Sequence, residues 1–235
     1  MALRPWSPIP IRDGGDPLLT IPPLLHRLLP HPYASLGAPY GADACPFRLR
    51  QGVIERLLAA QKRLKDMEPS WRLAIFDAWR PVAVQRFMVA HATAEACRAR
   101  GLDPEGAGPA WEEVGREVAC FWAPPSEDPA TPPPHSTGAA VDLTLAREDG
   151  APLDMGGEID AIGPISHPGH HATAAAANPE GDEARWHRRR LLLTEIMTES
   201  GFAQHPGEWW HFSYGDQLWA WRMGHPQALY GRVGD

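Results

Sequence analysis

"HSTGAAVDLTL", residues 135–145, changes character halfway along. It follows the proline-stiffened run "PPSEDPATPPP" at 124–134, and its own first residues, through Gly138, still read as loop. From Ala139 onward the apolar and β-branched content suits a core strand. His135 therefore stands in a loop and Asp142 inside a strand, seven positions apart, at the point where irregular chain enters a sheet. A core strand carrying an acid in its middle must either pair that acid or use it.

The second informative stretch is "GEWWHFSYGDQ", residues 207–217, where Glu208 precedes His211 by three positions with Trp209 and Trp210 between them. With eleven histidines in an acidic chain, about one such pairing is expected by chance, so the spacing alone proves little. Together with His135 and Asp142 it gains meaning. A catalytic zinc takes three protein ligands and leaves a fourth position for water, so His135, Asp142 and His211 are a sufficient set for one Zn2+ per chain. Glu208 is then free to act as general base on a water whose pKa the metal lowers. Arg80, in "DAWRP" at 77–81, falls where a strand ends and a helix begins, a position from which a guanidinium can reach a cleft and stabilise an oxyanion. Its structural alternative is an ion pair with Asp77. A strand running through "EWWHFSY" would send Glu208 and His211 to opposite faces, so a local twist or bulge is required for both to reach one metal, with one indole in the core and the other walling the cleft.

Outward from these stretches, residues 1–46 carry ten prolines and read as an irregular arm packed on a core. Phe47–Met67 has helical apolar spacing, "WRLAIFDAW" reads as a buried strand, and Pro81 opens a helix that Gly101 stops. Residues 111–121 form a short helix, 147–182 a long connection without regular structure, and "EARWHRRRLLLTEIMTES" a helix ended by Gly201. His167, His170 and His171 belong to that connection, and a loop is preferred there to a second metal site. Strands and helices that do not alternate as strict βαβ units indicate an α+β class, organised over 1–235 as a single domain.

Composition removes other classes. A net charge of −7 and a sequence pI near 5.9 argue against nucleic acid or an anionic membrane as partner. No run reaches the ~20 apolar residues of a membrane span, and the first residues lack the apolar core of a signal peptide. A cytoplasmic, uninserted protein is expected, with the periplasm as the alternative; no oligomeric state follows. Three widely spaced cysteines, Cys45, Cys97 and Cys120, suggest free thiols.

The ordered set "DAWRP", "HSTGAAVDLTL", "DMGGEID", "SHPGHH", "RRRLLLTEIMTESGF" and "EWWHFSYGDQ" resembles the D-alanyl-D-alanine dipeptidases, zinc enzymes of the vancomycin-resistance type. The resemblance runs from about Tyr33 to Tyr214. It implies a Hedgehog/DD-peptidase-like fold with a central antiparallel sheet flanked by helices, and D-Ala-D-Ala as the small peptide substrate. It also implies His135, Asp142 and His211 as zinc ligands, Glu208 as general base and Arg80 as stabiliser of the tetrahedral intermediate. Asp160 is implied as partner of the substrate's free amine and Tyr33 as a pocket residue. Pro133 stands where the resistance enzymes carry a serine linked to the substrate carboxylate, and Gly157 and Ile159 alter the "MG…D" segment. The alternatives are a D,D-carboxypeptidase or endopeptidase on longer cell-wall peptides, and a Hedgehog-like zinc-binding module without turnover. Retention of Glu208 and Arg80, neither needed merely to hold a metal, disfavours the module.

Overall fold

The structure is a computed structural model that describes residues 4–41 and 45–234. In chain order it contains strands β1 (Leu18–Thr20) and β2 (His26–Arg27), helix α1 (Pro32–Ser35), strand β3 (Arg48–Arg50), helix α2 (Gln51–Met67), strand β4 (Trp71–Asp77) and helices α3 (Val82–Ala99) and α4 (Pro109–Phe121). Strand β5 (Ala140–Arg147), helices α5 (Ala172–Ala177) and α6 (Asp182–Glu199), strands β6 (Ala203–Gln204) and β7 (His211–Ser213) and helix α7 (Gln217–Met223) complete it. Two short 3-10 turns, Pro134–Thr137 and Pro164–Ser166, sit next to β5 and in the long connection.

The pattern of apolar residues explains the main elements. Val53, Leu57, Ala60 and Leu64 make one fully buried stripe along α2, which packs on the sheet beneath. β5 is buried from Ala140 to Ala146, as a strand covered on both sides must be. Asp182 and Glu183 complement the N-terminal dipole of α6, and Gly201 at φ +92° turns the chain out of it. Asp216 caps α7 by accepting from the Trp219 amide at 2.8 Å.

The five-stranded sheet has the order β2-β4-β5-β7-β6. It is antiparallel from β4 to β6, as expected, but β2 joins β4 in parallel, His26 opposite Ala74 and Arg27 opposite Ile75. The arm is thus not wholly irregular: β2 extends the sheet, and β1 pairs antiparallel with β3. Those pairings lie between segments distant in sequence, and β3 also delays the start of α2 to Gln51. Residues 1–3 and 42–44 of the arm lie outside the described residues. The connection 147–182, expected to be structureless, contains α5, an alanine run docked on α6. None of the described helices is long and apolar enough to cross a membrane.

Register is what places the site. Ile75 pairs with Leu143, but the next pair on β4 and β5 is Asp77 with Asp142, a register shift that leaves Phe76 as an extra residue. On the other side Asp142 pairs with His211. Directly opposed residues of antiparallel strands share a face, so Asp77, Asp142 and His211 form one row across three adjacent strands.

Candidate active site

The row meets His135, which the 3-10 turn after Pro133 lowers onto it. His135 Nδ1 lies 2.7 Å from the Ala78 carbonyl, so that nitrogen donates and Nε2 is the one that faces the cluster. Nε2 stands 3.1 Å from Asp142 Oδ2 and 3.3 Å from His211 Nδ1, and His211 Nδ1 is 3.0 Å from Asp142 Oδ1. All three residues are buried and offer ligand atoms within 4.8 Å of one another. Among the described residues this is the one such cluster; His171 instead packs its Nε2 2.8 Å from the Gly156 carbonyl, away from any ligand set. Burial works against ionising Asp142, but the charges and hydrogen bonds of His135 and His211 hold its carboxyl well below the usual range. Burial pushes His211 down, against the pull of Asp142, so it stays neutral. Two imidazole nitrogens and a carboxylate that stays ionised are a donor set that fits zinc.

Glu208 reaches the same place by a turn rather than a strand. β7 begins only at His211, and residues 205–210 form a loop closed by the His205 amide donating to the His211 carbonyl at 3.0 Å. The irregularity that the acid–histidine spacing demanded is this hairpin loop. It sets Glu208 Oε2 3.8 Å from His211 Nδ1. Burial and the charge of Asp142 push Glu208 well above the ordinary glutamate range, with Arg4 opposing. Both tryptophans that fill the gap are buried, edge to face at 5.5 Å, and Trp210 also lines the pocket. The expected division of labour is therefore partial: Trp209 is core, and Trp210 is core and wall at once.

Arg80 lines the same pocket. Its Nε and Nη2 donate to Asp77 Oδ2 at 3.0 and 2.8 Å, its Nη1 donates to Gln85 at 2.7 Å, and Nη2 lies 3.5 Å from Asp142 Oδ2. The ion pair with Asp77 and the reach toward the pocket coexist. Three of the five N–H donors are engaged, which leaves two. Asp160 also lines the pocket, at a backbone φ of +66°, a left-handed conformation that few residues besides glycine, asparagine and aspartate adopt. Tyr33 is buried behind it, donating to Asp160 Oδ2 at 2.7 Å, with its ring 5.0 Å from the Arg80 guanidinium carbon. Tyr33 thus supports two pocket residues.

Several residues of the site were not singled out in the sequence. His205 lines the pocket with Nδ1 3.4 Å from Glu208 Oε1; its signal was the repeated three-residue step His205, Glu208, His211. Arg190 is buried in α6 and donates to the carbonyls of Met155, Ile165 and His167 at 2.8, 3.0 and 3.0 Å, which holds the loop that carries Asp160. Arg4, from the start of the arm, also lines the pocket.

The profile of the Peptidase_M15 family, described as D-ala-D-ala dipeptidase, matches residues 27–228. A D-alanyl-D-alanine dipeptidase of Synechocystis sp. is 48% identical over 98% of this chain and 97% of its own length. The D-alanyl-D-alanine dipeptidase of Escherichia coli is 45% identical over 33% of this chain and 36% of its own length. Among solved structures, a vancomycin-resistance D,D-pentapeptidase, VanY of a VanB-type cassette in complex with Zn(II), aligns over 95% of this chain and 96% of that one at 15% identity and a TM-score of 0.46. A full-length match at this identity, over a chain that presents two histidines and an aspartate around one buried point, makes it a member of the Peptidase_M15 family of D-ala-D-ala dipeptidases.

Proposed function

We propose that the chain hydrolyses the D-Ala-D-Ala dipeptide, with His135, Asp142 and His211 holding zinc, Glu208 as general base and Arg80 stabilising the tetrahedral intermediate. The observation that carries this is an unspent buried carboxylate, Glu208, beside a complete donor set in one pocket. Zinc held by that set supplies Lewis acidity to the scissile carbonyl and to an attacking water. Glu208 takes the proton of that water at a carboxylate oxygen and returns it to the leaving amine nitrogen; its burial makes it hold a proton more tightly than a carboxylate in water, as a shuttle requires. Arg80, fixed by Asp77 and Gln85, offers its remaining donors to the oxyanion without having to reorganise. Trp122 and Trp210 keep bulk water off the reacting groups. Asp160 receives the substrate's free amine and so selects dipeptides over longer or N-blocked chains.

The test is a panel of free and N-acetylated peptides of two to five residues, with L- or D-alanine at each end, read for released amino acid alongside metal content. D-Ala-D-Ala is expected to be cleaved by protein holding one zinc per chain, and its N-acetyl form roughly tenfold to hundredfold less efficiently in kcat/KM. Faster cleavage of blocked or longer peptides moves the assignment to a D,D-carboxypeptidase. No cleavage by zinc-loaded protein leaves a binding module.

A further inference from the structure

The pocket is bordered by two outer clefts, and beside each it is lined by one charged side chain, of opposite sign. On one side it borders a cleft beneath α1 and α3, and the residues common to both are Trp122 and Asp160. On the other it borders a cleft between the arm and α4, and the residues common to both are Arg4, Ala123 and Pro134. The two outer clefts share no residue. A dipeptide with free ends is a zwitterion, so its extended form presents a cation at one end and an anion at the other.

The two guanidiniums that line the pocket differ in what they have left to give. Arg80 is buried and paired through two nitrogens with Asp77. Arg4 is half-buried, and its hydrogen bonds are two long ones, to His205 Nε2 and to the Ala119 carbonyl, both 3.4 Å. Those distances are well beyond the ~2.9 Å of a good N–H···O bond. No carboxylate of the described residues forms an ion pair with it, whereas Arg80 is paired with Asp77 at 2.8 Å. Burial disfavours its charge, and Glu208 offsets this only in part. Its place is nevertheless defined: the guanidinium carbon lies 5.5 Å from the ring centre of Trp6, which is buried and packs edge-on against His205. A partly desolvated, positioned guanidinium without an acid partner is a site for a carboxylate.

We infer that Arg4 binds the α-carboxylate of the dipeptide, so that Arg4 and Asp160 together measure a substrate of two residues across the pocket. The inference rests on the dipeptidase reading above. It makes the arm a part of the active site, and it makes a residue added at the carboxyl end collide with Arg4 before it can enter the outer cleft.

The experiment compares D-Ala-D-Ala with D-Ala-D-Ala amide in wild type, Arg4→Gln and Arg4→Lys, with circular dichroism to check folding. Wild type is expected to prefer the acid. Arg4→Gln is expected to raise KM for the acid roughly ten- to hundredfold, with a much smaller change in kcat, and to collapse the acid-to-amide ratio; Arg4→Lys restores part of both. In the Glu208→Ala background, where binding is read by calorimetry without turnover, adding Arg4→Gln is expected to weaken the acid by the same factor and the amide little. An unchanged KM for the acid, or equal losses for acid and amide, overturns the inference and leaves Arg4 as a tether of the arm. Wild-type zinc protein that cleaves neither compound overturns the dipeptidase reading itself, and this inference with it.

Discussion

The Tyr33 hydroxyl donates to Asp160 Oδ2 at 2.7 Å, joining residues 127 apart in the chain. The bond favours the charged form of a carboxyl that burial first, and the charge of Asp142 second, push up to about 7. An aspartate in the unfolded chain ionises near pH ~3.9. Between that value and about 7 the unfolded state holds fewer protons at this group than the folded state, so stability falls as pH rises through the window. In metal-free protein, Asp160→Asn is expected to flatten that fall, by on the order of 1 kcal/mol for a group that is half-buried. Tyr33→Phe removes the donor, raises the carboxyl further and carries the fall to higher pH. Thermal melts from pH 4 to 8 measure both differences, and an identical pH profile for wild type and Asp160→Asn would refute the assignment.

Glu208, within the hairpin loop, and His211, the first residue of β7 after it, are expected to fail differently. Glu208→Ala should retain zinc and lose roughly a hundredfold to ten-thousandfold in kcat, because the shuttle is not a ligand. His211→Ala should lose metal and turnover together. Elemental analysis beside steady-state kinetics separates them; loss of zinc in Glu208→Ala would make Glu208 a ligand.

Arg190 donates to three carbonyls of the loop that carries Asp160, and its guanidinium lies 5.0 Å from the ring centre of Trp209. A lysine cannot reproduce that fork. Arg190→Lys is therefore expected to cost ~1–3 kcal/mol in stability and to raise KM for D-Ala-D-Ala while zinc content stays whole. Urea unfolding and KM report the two effects, and an unchanged KM would detach Arg190 from the Asp160 loop.

How legible this site was in the sequence depended on how local its causes were. His135, Asp142 and His211 could be read together because donor chemistry is a property of residue type, and β5 announced itself by composition. Glu208 was legible as an acid, and the need for an irregular backbone followed from strand geometry alone. The row Asp77, Asp142, His211 was not legible, since it depends on a one-residue register shift at Phe76 that no local pattern marks. Nor was the parallel pairing of β2 with β4, whose partners lie in different parts of the chain. The arm's prolines argued correctly against long helices there but concealed that Arg4 comes back to the pocket, while Tyr33, implied as a pocket residue, stands behind Asp160. The alanines of α5 read as loop because proline, glycine and histidine flank them; docking on α6 outweighs those local signals.

Asp77 makes Arg80 the hardest residue to test cleanly. It is fully buried, and besides Arg80 it meets His31 Nε2 at 3.1 Å, the Tyr40 hydroxyl at 3.2 Å and His135 Nδ1 at 3.4 Å. Arg80→Ala removes the main counter-charge and is expected to destabilise the fold by ~3–5 kcal/mol, as breaking a buried pair generally does. Any loss of kcat in that variant mixes instability with chemistry. Arg80→Lys keeps a positive charge beside Asp77 and gives up the planar fork, so its stability loss should be the smaller of the two. If Arg80 stabilises charge that develops in the transition state, kcat in Arg80→Lys should still fall at least tenfold, roughly 1.4 kcal/mol, while KM changes little. Asp77→Asn supplies the comparison, because it weakens the ion pair but leaves the guanidinium in place. It should lose stability with a smaller loss of kcat than Arg80→Lys. Chemical denaturation and steady-state kinetics on the three variants decide between the roles: kcat that tracks stability across all of them makes Arg80 a structural partner of Asp77, and kcat that follows the guanidinium makes it a catalytic residue.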